Sequence, residues 1–283
     1  MRKTSFWKLK QREILLGERT ALMGVLNVTP DSFSDGGRYA DPDRAFARAV
    51  EMEEQGADII DIGAESSRPG SVRISADEEW HRLAPVLKRL KDRLTIPISV
   101  DTYKAETAER ALGLGVEIIN DPSGLTFEPN LARVISNFNA GLVVNHMRGR
   151  PETWAKLGPL KDPMTAIMRD LDAAVSRARH VGIDKARICI DPGIGFGKRG
   201  DENSLILGRL RDLAELDLAV MIGPSRKQFL KHDTTQETAF ATAAAVTAGI
   251  LAGAHIVRVH DVRDMRAAAD VADEILKAMR AEI

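Results

Sequence analysis

The chain has 283 residues, of which 44% are hydrophobic and 29% charged, with a formal net charge of −1. That balance fits a globular protein of one large or two ordinary domains, and it excludes a bulk basic surface for nucleic acid or an anionic membrane. The single cysteine, Cys189, excludes an internal disulfide and fits a reducing, cytoplasmic setting.

In chain order, the opening segment MRKTSFWKLKQREILLGER is charged throughout and lacks the apolar core of a signal peptide. Within it, FWKLKQREILLGE alternates between apolar and polar residues and predicts a short hairpin. The first apolar run, ALMGVLN, passes into NVTPDSFSDGG, a loop well beyond the usual connector of about 4–6 residues. The Asn27-Val28-Thr29 triplet matches a glycosylation acceptor by chance only, since no signal peptide precedes it. Further apolar runs follow: ADIIDIG, IPISVD, VEIIND, GLVVNHM, ARICID, LAVMIG and AHIVRVH. Between them, DRAFARAVEMEEQG, DEEWHRLAPVLKRLKDR, AETAERALGLG and DPMTAIMRDLDAAVSRARHVG carry helical periodicity. Gly56, Gly115 and Gly182 sit where helices end before the next strand. The uncharged stretch Thr238–Val257 has the length of a membrane span. Its Ala, Thr and Gly content and the AGAH break predict instead a helix followed by a strand. Eight strands alternating with helices predict one (β/α)₈ TIM barrel spanning residues 1–283, with the hairpin plugging its bottom. An open doubly wound sheet is the alternative, but its first turn lacks a glycine fingerprint.

Barrel chemistry sits at the C-terminal strand ends, and here every apolar run ends in polar residues. These are Asn27; Asp61 and Glu65; Asp101; Asn120 and Asp121; Asn145 and His146; Asp191; Ser225, Arg226 and Lys227; Arg258 and His260. One such residue is commonly a helix cap; eight runs out of eight predict a functional ring. Arg258 and His260 are two apart and share a strand face. A cation on the inward face is costly unless an anion meets it. Either a ring aspartate pairs with Arg258, or an anionic, phosphorylated small ligand meets it together with the neighbouring Ser225-Arg226-Lys227. DPGIGFGKRG (191–200) is neither a Walker loop nor a dinucleotide fingerprint. Its glycines are read either as an ordinary flexible loop or as room for Phe196 to approach a ligand. The scattered histidines offer no zinc spacing, although Mg²⁺ held by a few oxygens and phosphate would leave little sequence trace. Cys189, inside a strand, reads as a packing residue.

MGVLNVTPDSFSDGG, DIGAESSRPG, ISVDT, IINDPSG, HMRGRP, DPGIGFGK, GPSRK and IVRVHDV, in order from Met23 to Val262, together resemble the dihydropteroate synthase family of pterin-binding barrels. The resemblance implies condensation of hydroxymethyl-dihydropterin pyrophosphate with p-aminobenzoate to dihydropteroate and pyrophosphate, with Mg²⁺ required, sulfonamides as aminobenzoate mimics and a homodimeric assembly. It implies that Asn27 holds the Mg²⁺–pyrophosphate, and that Asp101, Asn120, Asp191 and Lys227 bind the pterin. Arg258 and His260 would bind pyrophosphate, while Phe33, Ser67, Arg68, Pro69, Phe196 and Ser225 would surround the aminobenzoate. Asp101 would stabilise a pterin cation, and the long first loop would act as a lid excluding water. Two positions depart from the family pattern: Ser67 replaces the usual Thr, and Pro122 stands where a β-branched residue is usual. The rivals are a methyl-tetrahydrofolate-dependent methyltransferase of the same barrel family, which has no use for a pyrophosphate corner, and a non-catalytic pterin-binding barrel.

Overall fold

The computed structural model describes residues 2–29, 41–66 and 71–281. Strands β1 (Ser5–Lys8) and β2 (Glu13–Leu16) pair antiparallel as the N-terminal hairpin. Eight parallel strands follow: β3 (Ala21–Asn27), β4 (Ile59–Gly63), β5 (Ile98–Asp101), β6 (Ile118–Asp121), β7 (Gly141–Asn145), β8 (Ile188–Asp191), β9 (Ala219–Ile222) and β10 (Ile256–Val259). They close in chain order, with β10 paired to both β9 and β3. Between and after them run α1 (Pro42–Glu54), α2 (Ala76–Leu90), α3 (Ala105–Gly113), α4 (Leu131–Asn137), α5 (Pro163–His180), α6 (Gly200–Gly208), α7 (Thr235–Leu251) and α8 (Val262–Ala281). The predicted closed barrel is therefore the observed one. Gly56, Gly115 and Gly182 have φ of 94°, 104° and 96°, matching their predicted helix-ending role.

The strands are buried on both faces, which is why their sequences show little alternation of polarity. Outward residues such as Leu22, Ile60, Ile62, Val100, Ile119, Val144 and Val257 join the helices in one core. Inward residues form a second, smaller core: Met23, Ile59, Ile118, Val143, Cys189, Met221 and Ile256 meet Trp7, Leu9 and Leu16 of the hairpin. The hairpin thus plugs the barrel bottom, as expected, and Trp7 Nε1 donates to the Arg187 carbonyl at 2.8 Å. Gly141 opens β7 because a Cβ there would lie 2.5 Å from Leu9 Cδ2 of the plug. Cys189 is fully buried packing, as read.

Arg2 locks this end. Its guanidinium binds Asp273 at 2.6 Å, Thr20 Oγ1 at 2.7 Å and the Ala254 carbonyl at 2.8 Å, all in the interior. The uncharged Thr238–Val257 stretch resolves into most of α7 and the start of β10. Among the described residues, no helix is long and apolar enough to cross a membrane.

Candidate active site

Two residues above the apolar inner layer, the same strand faces turn polar. Ile59 is followed inward by Asp61, Ile118 by Asn120, Val143 by Asn145, Cys189 by Asp191 and Ile256 by Arg258, because alternate strand residues share a face. At the mouth these side chains meet in a cleft lined by Asp101, Asn120, Pro122, Asn145, Asp191, Ile194, Phe196, Gly223, Lys227 and Arg258. A roomier cavity, about 490 Å³, lies at the other end of the barrel beside the hairpin and is lined by none of these residues. The predicted ring residues gather in the polar cleft and not in that larger space.

Arg258 is the hub. Its Nε donates to Asp61 Oδ2 at 2.6 Å and its Nη2 to Asp101 Oδ2 at 2.9 Å. Of the two readings of this inward cation, the ion pair with ring aspartates is the arrangement present. Asn120 Nδ2 donates to the same Asp61 oxygen at 3.0 Å. Burial, opposed by Arg258, pushes the Asp101 carboxyl up to about 7. Burial also pushes Asp191 up to about 6, against the hydrogen bond that its Oδ1 accepts from Gly193 N at 2.6 Å. The Lys227 ammonium lies 4.0 Å from the Phe196 ring centroid. Burial and the neighbouring Arg258 bring its pKa down to about 8.

Ser225 and His260 form a second pair beside this cleft, with Ser225 Oγ 2.9 Å from His260 Nδ1. Because Ser225 Oγ already accepts the His260 backbone N–H at 3.2 Å, its hydroxyl proton is free to point at Nδ1. Burial, followed by Arg226 and Arg258, lowers the His260 pKa to about 3. The imidazole is therefore neutral at pH 7, and with the Ser225 hydroxyl assigned as donor to Nδ1 its proton sits on Nε2. It offers an incoming anion an N–H donor rather than a second charge.

Not every predicted ring member turns inward. Asp121 points away from the cleft, and its carboxylate accepts the N–H groups of Ser123 at 2.8 Å and Leu125 at 2.5 Å, organising the turn that follows Pro122. His146 likewise faces out, toward Asp170 of α5 at 3.3 Å. Each follows an inward residue, Asn120 or Asn145, so strand parity sends it to the other side. Arg226 leaves the cationic corner to pair with Asp261 at 2.6 Å. Pro122 leaves Asn120 in place and itself lines the cleft.

The glycine loop owes its shape to close contacts with the protein itself. A Cβ on Gly193, whose φ is 69°, would stand 1.9 Å from the His146 carbonyl oxygen. Lys198 staples the same spot, donating to the carbonyls of His146 and Gly193, each at 2.7 Å. The sequence reading gave Lys198 no role; its only trace there is a lysine closing a glycine-rich turn. Asn145 was named in the ring but assigned no ligand, yet it lines the cleft. A further cluster was legible only in Glu65, which the sequence places in the ring, and not in its partners. Lys104 pairs with Glu65 at 2.6 Å and Glu79 at 3.3 Å, and Glu65 also accepts the Tyr103 hydroxyl at 2.9 Å.

Asn27 stands exposed at the end of β3. Its Oδ1 and Asp101 Oδ2 flank Gly63, lying 3.8 and 3.7 Å from where a Cβ there would sit. Among the described residues, no three His, Cys, Asp or Glu side chains converge as a metal cage. One amide oxygen at an open mouth does suit Mg²⁺, which keeps most of its waters and binds through one or two protein groups plus substrate phosphates. Phe33, Ser67, Arg68 and Pro69 lie outside the described residues.

The family model for pterin binding enzymes matches residues 23–260, nearly the whole barrel. The chain belongs to the dihydropteroate synthase family of pterin-binding enzymes. It is 41% identical to the dihydropteroate synthase of Synechocystis over 92% of this chain and 91% of that one. Among solved structures, the Clostridium difficile enzyme, determined in the presence of pteroic acid, is 42% identical with a TM-score of 0.86, covering 92% of this chain and 98% of that one. The Xanthomonas albilineans enzyme with 4-aminobenzoic acid is 34% identical with a TM-score of 0.89, covering 97% and 99%.

Proposed function

We propose that this synthase joins hydroxymethyl-dihydropterin pyrophosphate to p-aminobenzoate by way of a pterin cation, and works as a Mg²⁺-dependent cytoplasmic homodimer. The observation carrying the pterin assignment is a set of unmet hydrogen bonds. Asn120 Oδ1 and Asn145 Oδ1, on residues that line the cleft, are buried without a partner. Stranded acceptors in a closed cleft cost about 1–3 kcal/mol each. A flat heterocycle rich in N–H and NH₂ groups, such as a reduced pterin, would satisfy them.

In this reading Asp101, Asn120, Asp191 and Lys227 hold the pterin edge, and Phe196 and Ser225 face the aminobenzoate. As the C–O bond to pyrophosphate breaks, positive charge develops on the exocyclic carbon and spreads into the ring. The Asp101 carboxylate stabilises that charge in a site screened little by water. The His260 N–H and the Arg258 guanidinium meet the departing phosphate oxygens. Asn27 would hold Mg²⁺, which supplies charge neutralisation to the leaving group when bound. The p-aminobenzoate amine then attacks the carbon and loses a proton, a step that needs no strong protein base.

The homodimer reading is supported by apolar side chains left uncovered on the last two helices. Phe240 and Leu251 of α7, and Val271, Ile275 and Met279 of α8, are 37–66% exposed. Exposed apolar side chains on two neighbouring helices suit a contact with a second copy of the chain.

The test is pyrophosphate release from the pterin substrate with Mg²⁺, with and without p-aminobenzoate, while dihydropteroate is followed. Dihydropteroate formed only when aminobenzoate is present is the expected result. Pterin binding with no dihydropteroate would overturn the reading and direct the next assay to methyl-tetrahydrofolate.

A further inference from the structure

We propose that Asp61 is a positioning residue that sets which end of the Asn120 amide faces the ligand, and so makes Asn120 a hydrogen-bond acceptor toward the pterin. The inference rests on the pterin reading above. Asp61 is wholly buried in mid-β4. Its Oδ2 takes both Arg258 Nε at 2.6 Å and Asn120 Nδ2 at 3.0 Å. An asparagine amide alone is ambiguous, because its oxygen and nitrogen ends have nearly the same shape. Here a carboxylate paired with a guanidinium has no proton to give, so only the NH₂ end of Asn120 can face it. The carbonyl end is thereby turned to the cleft, where it is buried without a partner. A ligand meeting Asn120 must bring a donor at that point, which a ring N–H or amino group does and a bare ring nitrogen does not.

The same oxygen anchors Arg258 by Nε alone, while the Arg258 Nη2 contact to Asp101 is separate. When the pterin engages Asp101, Arg258 keeps its tether to Asp61 and its terminal nitrogens become available at the mouth. Asp61 thus couples the residue reading the pterin to the cation facing the leaving group, although it is assigned contact with neither ligand.

The experiment measures binding of hydroxymethyl-dihydropterin, without its pyrophosphate, to the full-length wild type, to Asp61→Ala, to Asp61→Asn, to Asn120→Ala and to the double variant D61A/N120D. Alanine removes the acceptor that Arg258 Nε and Asn120 Nδ2 share and frees the Asn120 amide to turn, so D61A should weaken binding by about 10–100-fold, as should Asn120→Ala. Asparagine keeps an oxygen at that shared point, so D61N should bind the pterin within about fivefold of wild type. In D61A/N120D a carboxylate presents an oxygen to the ligand whichever way it turns, at unchanged net charge, and pterin binding should again come within about fivefold of wild type. Turnover of the pyrophosphate substrate by D61A/N120D should stay low, because Arg258 has lost its tether on β4. A purely structural role for Asp61 predicts no such recovery. Should D61A fail to fold, D61A/N120D and Asn120→Ala still decide the matter. Wild-type-like binding by D61A, or a double variant no better than Asn120→Ala, overturns the inference. A wild type that binds no pterin would instead overturn the function on which it rests.

Discussion

Replacing Asp101 by asparagine separates charge stabilisation from shape. The substitution keeps the volume of the side chain and leaves an oxygen to accept Arg258 Nη2, now at 2.9 Å. What it removes is the negative charge at the cleft. Losing one preorganised stabiliser of a developing charge costs about 10²–10³ in kcat. Replacing a charge-assisted hydrogen bond by a neutral one costs about 1–1.5 kcal/mol, roughly tenfold in pterin affinity. Single-turnover rates and equilibrium pterin binding, measured on the same preparation, should therefore fall unequally. The pH profile supplies a second readout. Burial sets Asp101 near 7, Asp191 near 6 and Lys227 near 8. Since the carboxylates act ionised and the lysine protonated, kcat/KM of the wild type should rise through about 6–7 and fall above about 8. D101N should lose the upper part of the acid limb and keep the part near 6. Stability carries the same sign: the folded pKa of Asp101 lies above the unfolded 3.8, so the folded state holds the extra proton and stability is lost as pH rises from about 4 to 7. Relative to wild type, D101N should be more stable at about pH 8 than at about pH 5. Equal losses in turnover and pterin binding, with an unmoved acid limb, would refute the role given to this carboxylate.

Lys198→Met strips the donor from two carbonyls, those of His146 and Gly193, and should lower stability by about 2–4 kcal/mol in chemical denaturation, with pterin affinity falling as the Asp191–Gly193 turn loosens. Arg2→Met, at the closed end of the barrel, leaves Asp273 buried beside Thr20 without its cation, so a loss of about 3–5 kcal/mol is expected in the melt, with KM values unchanged in the folded fraction. Phe240→Glu combined with Met279→Glu puts charge on the uncovered faces of α7 and α8. Light scattering should show a wild-type dimer converted to monomer, and a variant that stays dimeric would place the contact elsewhere.

The barrel was legible because its signals are local. Ile- and Val-rich runs, amphipathic stretches of fixed length and a glycine after each of three helices are written within a few residues of one another, and the hairpin shows its alternation within one short segment. The location of the site was legible for the same reason, since each apolar run changes to polar residues at one end. Which way a polar side chain turns was harder. Asn120 and Asp121, or Asn145 and His146, are adjacent letters, and parity separates them only once the inward phase of the strand is known. Partner choice was harder still. Arg258 finds Asp61 across 197 residues of chain, and Lys198 finds the His146 carbonyl across 52. Nothing near either residue in sequence announces those contacts, so Lys198 went unassigned and Asp61 was read only as one more member of a ring.

The charges in the cleft tie the fold to the chemistry. Asp61, Asp101 and Asp191 face Arg258 and Lys227, and the further cation near Asp191, Lys198, has its pKa brought well down by burial, so the cleft leans negative. A buried site does not hold an unbalanced charge cheaply, and burial, helped by the neighbouring Asp61, raises the Asp101 pKa to about 7, close to taking up a proton. A neutral pterin does not correct the imbalance. A pterin cation corrects it fully, so the electrostatic gain arrives only as the bond to pyrophosphate breaks. That is the condition for accelerating a step rather than merely binding its substrate. The excess also explains why His260 is better neutral: a further cation inside the cleft would cancel the negative charge in advance, whereas an N–H donor at the rim can meet the leaving group without doing so. On this argument the carboxylates deep in the barrel and the donors at its mouth divide the work, with the cation held below and the departing anion held above.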